Sequence, residues 1–281
     1  MFVLVALSYL VTIAAVGLFI VRLRELISLY KKQQPDPTRS NNRGARSKNM
    51  LKEVLGHTKM LNFTGTGIAH WFVMVGFGAL FGTLITAYGQ LISPDFALPI
   101  IGHFVGYELF AEVIAALTGV GIVTLIGIRQ ATRFWHKGRT SRFAGSNQGR
   151  AYYVEATILA VVFCVITLRG LEGALAGEKS WSLHYAISWP AVVIFSSWST
   201  SAIENAIVIV ATAKILVSML WFIVIASKLT MGVAWHRFLA FFNIYFKRNI
   251  DKPSLGALPE MLSHGKPVNF EDPAEDDVFG L

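Results

Sequence analysis

One histidine lies inside an uncharged stretch that is long enough to cross a membrane. No charged side chain occurs between Phe63 and Gly89, and His70 lies near the beginning of this stretch. Such a run can span a bilayer as a single helix. Because an imidazole in hydrocarbon is costly, a histidine in this position usually has a function. Ligation of haem iron is one chemistry that histidine commonly performs.

Small residues surround this histidine in the sequence. Around it lie Gly65, Gly67, Gly76, Gly78 and Gly82. A face of small residues lets a neighbour approach closely, and that neighbour is either another helix or a flat ring system. We interpret the neighbour as haem, with His70 as one of its axial ligands.

A second histidine, His236, lies in the last hydrophobic stretch, residues 206–246. The spans that carry His70 and His236 are expected to run antiparallel, which puts both imidazoles near the cytoplasmic face. Two imidazoles at matched depth can hold one haem iron from opposite sides. The alternative is that each histidine only forms hydrogen bonds with neighbouring helices.

The spacing of the histidines favours one haem over two. Leu80 stands ten residues after His70, and no histidine precedes His236 within residues 206–246. A second haem between the same two helices is therefore disfavoured. His103 and His184, near the opposite face, are an alternative ligand pair for another haem.

Charged residues inside the apolar stretches are further candidates. Glu108 and Glu112 stand one helical turn apart, and Lys214 lies in the last stretch. At 1.5 Å per residue, Glu112 and Lys214 reach about 12–14 Å from the outer ends of their spans. We expect these two charges to face each other, because an unpaired charge there is costly. They form either a structural ion pair or, with Glu108 and His103, a site that handles the protons of a quinone.

Composition indicates that a membrane surrounds these residues. Hydrophobic residues occupy 54% of the 281 positions and charged residues 15%, which is typical of an integral membrane protein. The single cysteine, Cys164, lies in an apolar run, so disulfides, zinc clusters and iron–sulfur clusters are excluded within this chain. The net charge of +8 does not indicate nucleic acid, because the basic residues lie between the apolar stretches.

Five apolar stretches predict an all-α bundle of five transmembrane helices. They cover residues 2–21, 62–90, 103–128, 151–168 and 206–246. The last is longer than the ~20 residues that one span needs, so we expect it to protrude, tilt or bend. We interpret Arg169 and Glu172, after the fourth stretch, as interfacial anchors. Part of the next segment, residues 186–198, is expected to lie flat at the interface.

Charge asymmetry predicts the orientation. Segments 22–59 and 129–150 hold 16 of the 25 Lys and Arg residues, whereas the segments on the other side hold only Lys179. Basic loops stay in the cytoplasm, so the amino terminus is expected outside and the carboxyl terminus inside. Residues 1–246 then form a multi-pass domain in the lipid of the plasma membrane, and residues 247–281 form an acidic cytoplasmic tail.

Two segments resemble a known family. They are GIAHWFVMVGFGALFG around His70 and, more specifically, TMGVAWHRFLAFFNIYFKR around His236. Both resemble the amino-terminal membrane domain of actinobacterial iron–sulfur-binding reductases related to heterodisulfide reductase. That family is regarded as the membrane dehydrogenase for electron-transfer flavoprotein. Its domain is similar in plan to the gamma subunit of respiratory nitrate reductase, a five-helix cytochrome b. The resemblance covers essentially the whole chain.

The resemblance implies one haem b held by His70 and His236, which match the histidine pair nearest the cytoplasm in the nitrate reductase pattern. Leu80 stands where that pattern has a second histidine, and this departure agrees with a single haem. The resemblance also implies a route for electrons. They would come from fatty-acid oxidation through electron-transfer flavoprotein and iron–sulfur centres, and pass through the haem to menaquinone.

The cysteine-rich iron–sulfur segments of that family do not occur in this sequence. The chain stops at Leu281, where the first of them would be expected. We therefore expect a fragment of a membrane oxidoreductase, or one chain of a split system, with the clusters in the missing part or in a partner subunit.

Three other functions are open. A nitrate-reductase-like subunit that oxidises quinol would carry electrons in the opposite direction, which the sequence does not determine. A haem-free membrane anchor of a soluble reductase would show no Soret band. A transporter has little support, because the sequence has neither an internal repeat nor a pair of helices broken by Gly or Pro.

We predict about one haem per chain in the membrane-purified protein, because one histidine pair matches the haem-ligand pattern. A reduced-minus-oxidised spectrum with haem quantified per chain measures this number. A value near two would contradict our interpretation of Leu80 and favour His103 and His184 as further ligands.

Overall fold

The computed structural model describes residues 1–32, 36–135, 147–250 and 260–277. Within these ranges the chain is mainly helical and has almost no strand. Half of the predicted basic segment 129–150 and parts of the predicted tail lie outside the described residues.

The helices of the described ranges are α1 (Phe2–Lys31), α2 (Arg43–Leu55), α3 (Thr64–Ala79), α4 (Phe81–Gln90), α5 (Val105–Trp135), α6 (Gln148–Leu175), α7 (Trp189–Phe195), α8 (Thr200–Ser227) and α9 (Gly232–Tyr245). A small antiparallel hairpin of β1 (Leu262–Ser263) and β2 (Lys266–Pro267) follows. Helices α1, α5, α6 and α8 are each long and apolar enough to cross a membrane, and α3 and α4 pass the same test together. The prediction of an all-α membrane protein is confirmed at this level.

The second predicted span is broken at Leu80. The sequence predicted one helix over residues 62–90, but α3 and α4 meet at an angle of 40°. Glycines lie on both sides of the break and weaken the helix there. The hydroxyl of Thr83 donates to the carbonyl oxygen of Leu80 at 2.7 Å, so a side chain satisfies a backbone group at the bend.

The last hydrophobic stretch is divided into two helices, so residues 206–246 do not form one continuous helix. Helix α8 ends at Ser227, and α9 begins only at Gly232. Lys228 lies directly after α8, where its charge ends the apolar run. His236 is therefore on α9, a helix separate from α8.

Other boundaries also differ from the prediction. Helix α6 continues to Leu175, so Arg169 and Glu172 lie inside it. His103 precedes α5 instead of beginning the third span. Helix α7 occupies seven residues of the segment 186–198 and packs against α6.

The chain forms two compact units. The first contains Met1–Phe19 and Met60–Ala234, and the second contains Ile20–Lys59 and Trp235–Leu281. His70 thus belongs to the first unit and His236 to the second.

Helix α3 packs closely against α5 in the first unit because glycines, which have no side chain, leave space for the facing helix. A Cβ atom added to Gly76 would lie 2.0 Å from Oγ1 of Thr118, and one added to Gly121 would lie 2.7 Å from the carbonyl oxygen of Ala69. At Gly76, the neighbour of the small-residue face is therefore a helix, α5. The sequence had left open whether this neighbour is a helix or a flat ring system.

The main apolar core of the first unit lies between α4, α6 and α8. Leu168 and Leu171 of α6 pack with a stripe of α8 that includes Ile207, Ala211 and Ile215. These three residues of α8 are spaced by about one helical turn, so they lie on one face of the helix. That face holds α6 and α8 at a fixed rotation about their axes, and this rotation positions the polar residues described below.

Arg46 joins the segments of the second unit. Its buried guanidinium donates hydrogen bonds to the carbonyl oxygens of Tyr245 and Lys247, both at 2.9 Å, and of Thr38 and Asn41, both at 2.8 Å. The last carbonyl groups of a helix lack partners within the helix. Arg46 therefore supplies the missing donors at the end of α9.

We predict that Gly76→Ala destabilises the first unit and that Gly78→Ala does not. The added methyl group at 76 would also lie 3.1 Å from Cβ of Thr118, so rotation of the threonine does not relieve the clash, whereas nothing lies within 4 Å at 78. Overpacking of this kind costs about 1–3 kcal/mol. Thermal unfolding in detergent should give a lower midpoint for Gly76→Ala alone. Equal midpoints for the two variants would contradict the described packing of α3 on α5.

Candidate functional site

A cavity of about 220 Å³ lies in the first unit between α4, α5, α6 and α8. The connection before α5 covers one side of it, and apolar side chains form much of its wall. Its polar lining includes Gln90, His103, Tyr107, Glu108, Arg169 and Lys214. A largely apolar cavity with a few converging polar and ionisable groups is the usual form of a ligand site.

These polar residues lie close together because the beginning of α5 and the ends of α4 and α6 all lie beside the cavity. Glu108 lies in the first turn of α5, where a negative charge is favoured by the helix dipole. Gln90 ends α4, and Arg169 lies near the end of α6. Lys214 reaches the same cavity from the middle of α8.

Arg169 is the centre of a network of three carboxylates. Its guanidinium lies 3.1 Å from Oε1 of Glu108, 3.4 Å from Oε1 of Glu112 and 2.5 Å from Oε2 of Glu172. It also donates to the carbonyl oxygen of His184. Its side chain is only 12% exposed, so Arg169 is packed inside the unit among these carboxylates. A guanidinium has five donors in a planar fork and can serve several acceptors at once.

Lys214 and Glu112 do not form the predicted ion pair. Lys214 is fully buried, and its Nζ donates to the carbonyl oxygen and to Oγ1 of Thr83, at 2.7 and 2.8 Å. Glu112 accepts hydrogen bonds from Oγ of Ser188 at 2.5 Å and from the backbone N–H of Ile187 at 2.7 Å. The prediction compared only the depths of Glu112 and Lys214 along their helices. Because α3 and α4 meet at a bend, Thr83 lies within hydrogen-bonding distance of Lys214.

Glu108 and His103 line the cavity, as a proton or quinone site would require. Oε2 of Glu108 lies 2.5 Å from Nδ1 of His184. The Glu108 side chain is 4% exposed and that of His184 is 44% exposed. The pair therefore connects the cavity with the surface. A second haem held by His103 and His184 stays an untested alternative.

Two buried polar atoms of cavity-lining residues have no hydrogen-bond partner among the described residues. They are Oη of Tyr107 and Oε1 of Gln90. The amide nitrogen of Gln90 donates to Oε1 of Glu172 at 2.6 Å, which leaves the amide oxygen as an unused acceptor. Buried polar groups almost always have partners. A ligand with both an acceptor and a donor would satisfy the phenol and the amide oxygen together.

Sequence reasoning missed several members of this site. Tyr107 directly precedes Glu108, and Gln90 is the polar residue that ends an apolar stretch. Arg169 could have been found from charge balance. Three acids near the outer ends of the spans need more than one lysine to neutralise them.

The phenol of Tyr185 lies against Arg169 in a short 3-10 helix, Leu183–Tyr185. The guanidinium carbon stands 4.6 Å from the centre of the ring, the geometry of a cation–π contact. Burial raises the pKa of Tyr185 to about 12, although Arg169 opposes the shift. The phenol therefore stays protonated and adds no charge to the network.

His70 lies half-buried on α3. Beyond the bend, α4 packs against α8, whereas α3 packs against α5.

His236 lies exposed on α9 in the second unit. Each histidine is described within its own unit, and joint ligation of one haem by His70 and His236 stays a prediction from the sequence.

No family model, curated protein or solved structure matches the chain. The resemblance to the iron–sulfur-binding reductases therefore stays a prediction that depends on two sequence segments.

We predict that Arg169→Met strongly destabilises the first unit. The variant would leave the buried carboxylates of Glu108 and Glu112, and the partly exposed one of Glu172, without their guanidinium, and breaking a buried ion pair costs about 3–5 kcal/mol. The matched control is Arg22→Met, which removes an arginine bonded to Glu25 in an exposed pair; such pairs contribute about 0–1 kcal/mol. Thermal unfolding and the yield of folded protein measure the difference. A normal midpoint for Arg169→Met would contradict the central role of this residue.

Proposed function

We propose that the chain is the cytochrome b-like membrane part of a quinone-linked oxidoreductase of the plasma membrane. In this proposal α3 and α4 cross as one bent span, so that the bundle has five spans. The amino terminus is outside and the carboxyl terminus is in the cytoplasm, because the basic residues concentrate in segments 22–59 and 129–150.

The cavity of the first unit is the proposed site of the quinone head group. The observation that carries this proposal is the pair of unpartnered polar atoms, Oη of Tyr107 and Oε1 of Gln90. The phenol can donate to a quinone carbonyl, and the amide oxygen can accept from a quinol hydroxyl. Glu108 and Lys214 stand beside them as groups that can hold protons.

His70 and His236 are the proposed axial ligands of one haem b. The haem supplies one-electron transfer when it is bound. The protein supplies two imidazoles and apolar surroundings, which set the reduction potential through ligation and burial. His70 lies near the beginning of the bent span, and the cavity lies near its end. The haem and the quinone would therefore bind near opposite ends of this span.

The partners follow from the family resemblance. We propose that iron–sulfur centres, in a further domain or a partner subunit, deliver electrons from electron-transfer flavoprotein, and that menaquinone receives them. The reverse direction, quinol oxidation as in the nitrate reductase gamma subunit, uses the same site. Neither direction requires nucleic acid, and the large apolar surface is in contact with lipid.

A transporter coupled to protons or ions is a second candidate. It is favoured by one observation that the sequence did not predict, the helix broken at Leu80 with the buried amine of Lys214 bonded to Thr83 just beyond the break. Broken helices near buried charges are typical of transporter binding sites. A transporter of this kind would contain no haem, so the spectrum distinguishes the two candidates.

We predict that Tyr107→Phe weakens quinone binding without changing the haem. In the full chain, chemically reduced haem is reoxidised by a soluble menaquinone analogue, and the rate is followed against quinone concentration. Loss of one hydrogen bond should raise the half-saturating concentration about three- to tenfold. Tyr30→Phe, at an exposed tyrosine of α1, is the control and should match the unmodified protein.

Three results of the same experiment would contradict the proposal. The first is the absence of a Soret band from the unmodified protein. The second is a haem spectrum that survives His70→Leu unchanged. The third is equal quinone dependence for Tyr107→Phe and Tyr30→Phe, which would place the quinone outside this cavity.

A further inference from the structure

The contact between Glu108 and His184 joins a buried group to an exposed one. We propose that these two residues are the path by which protons pass between the cavity and the water outside it. This inference rests on the proposed quinone site and adds the route of its protons. The carboxylate of Glu108 lines the cavity and is almost fully buried, whereas the imidazole, 2.5 Å away, is 44% exposed.

The two partners of Glu108 differ in what they can do with a proton. Its Oε1 lies 3.1 Å from Arg169, which keeps its charge at every accessible pH and cannot relay a proton. Its Oε2 meets the imidazole of His184, the side chain that exchanges protons most readily near neutral pH. One oxygen therefore orients the carboxylate, and the other connects it with the surface.

The remaining ionisable groups around Glu108 are less suited to the role. Tyr185 stays protonated because burial raises its pKa to about 12. Glu112 accepts hydrogen bonds from the segment at Ser188 and does not line the cavity. Lys214 is fully buried, so it can hold a proton but has no contact with water.

Two groups remain as competing routes. Glu172 is partly exposed, at 19% of its side chain, but its oxygens are engaged by Arg169 and by the amide of Gln90. His103 is exposed and lines the cavity. The experiment below separates these routes from the path through His184.

The charge balance of the cluster supports an exchangeable proton. Three carboxylates, of Glu108, Glu112 and Glu172, share the single guanidinium of Arg169, whereas the amine of Lys214 is bonded to Thr83. Carboxylates therefore outnumber the guanidinium in this network. A proton held in the contact between Glu108 and His184 reduces the excess of negative charge.

Quinone reduction needs two electrons and two protons. Each electron would arrive through the proposed haem, and each proton leaves the carboxyl group of Glu108 as an O–H bond forms on a quinone oxygen. Nε2 of His184 takes a proton from hydronium, and the imidazolium passes the proton of Nδ1 to the carboxylate. The imidazole is left protonated at Nε2, and exchange of its protons with water restores the proton on Nδ1 before the second transfer. Quinol oxidation runs the same steps in reverse, with the protons released to water.

The test uses His184→Asn in the full chain. The asparagine amide can keep a hydrogen bond to Glu108 near the position of Nδ1 but cannot exchange a proton. We expect reoxidation of reduced haem by the soluble menaquinone analogue to slow about 10²-fold, the usual effect of removing a general acid–base group. The haem content and spectrum should not change. Lys179→Gln, at an exposed titratable residue of the same connection, is the matched control.

Chemical rescue separates a proton path from a structural role. In His184→Ala, added imidazole should restore the rate, because the native side chain is exposed enough for a small base to replace it. Rescue without any change of the haem spectrum supports the path.

Three outcomes would overturn the inference. Equal rates for His184→Asn and Lys179→Gln would show that His184 carries no protons. A rate that falls only in His103→Leu or Glu172→Gln would place the route there. An unmodified protein that binds haem but does not react with the quinone would refute the quinone site itself, and the path with it.

Discussion

Burial of charge among apolar helices is the constraint on which the first unit depends. A lone carboxylate between membrane helices is very costly, so each one needs a cation and further donors. Arg169 meets this need for Glu108, Glu112 and Glu172 at once. Glu112 in turn binds the backbone that follows the short 3-10 helix at Leu183–Tyr185. One guanidinium thus links α5, α6 and the connection between α6 and α7, and these elements form one wall of the cavity.

The bend at Leu80 determines how the other wall is arranged. Helix α3 packs against α5 through glycine, and α4 turns to pack against α8. The turn brings the carbonyl and hydroxyl of Thr83 within reach of Lys214, so a buried amine is satisfied without a carboxylate. His70 lies near the beginning of α3, and the cavity residues Thr83, Thr86 and Gln90 lie on α4. A straight helix could not contact both neighbours in this way.

Much of the candidate site could be predicted from the sequence. Glu108 and His103 were expected at a proton or quinone site, and both line the cavity. The pairing of Glu112 with Lys214 was wrong, because residue counting measures depth along a helix and contains no information on its rotation or bending. Tyr107 was missed because a tyrosine in an apolar run is most often an interfacial residue. Its missing hydrogen-bond partner is visible only once the surrounding helices are placed.

The sequence by itself determined that this is a helical membrane protein, where its apolar stretches lie, and which charged residues must find partners inside them. Those conclusions depend on local composition and on the cost of exposing polar groups to hydrocarbon. Only the tertiary structure decided the partners. It showed Arg169 instead of Lys214 beside Glu112, the amine of Lys214 on Thr83, and His184 against Glu108 of the cavity wall. These contacts join residues that are 57 to 131 positions apart, and their geometry depends on helix rotation, a bend and an irregular connection, none of which follows from the order of residues alone.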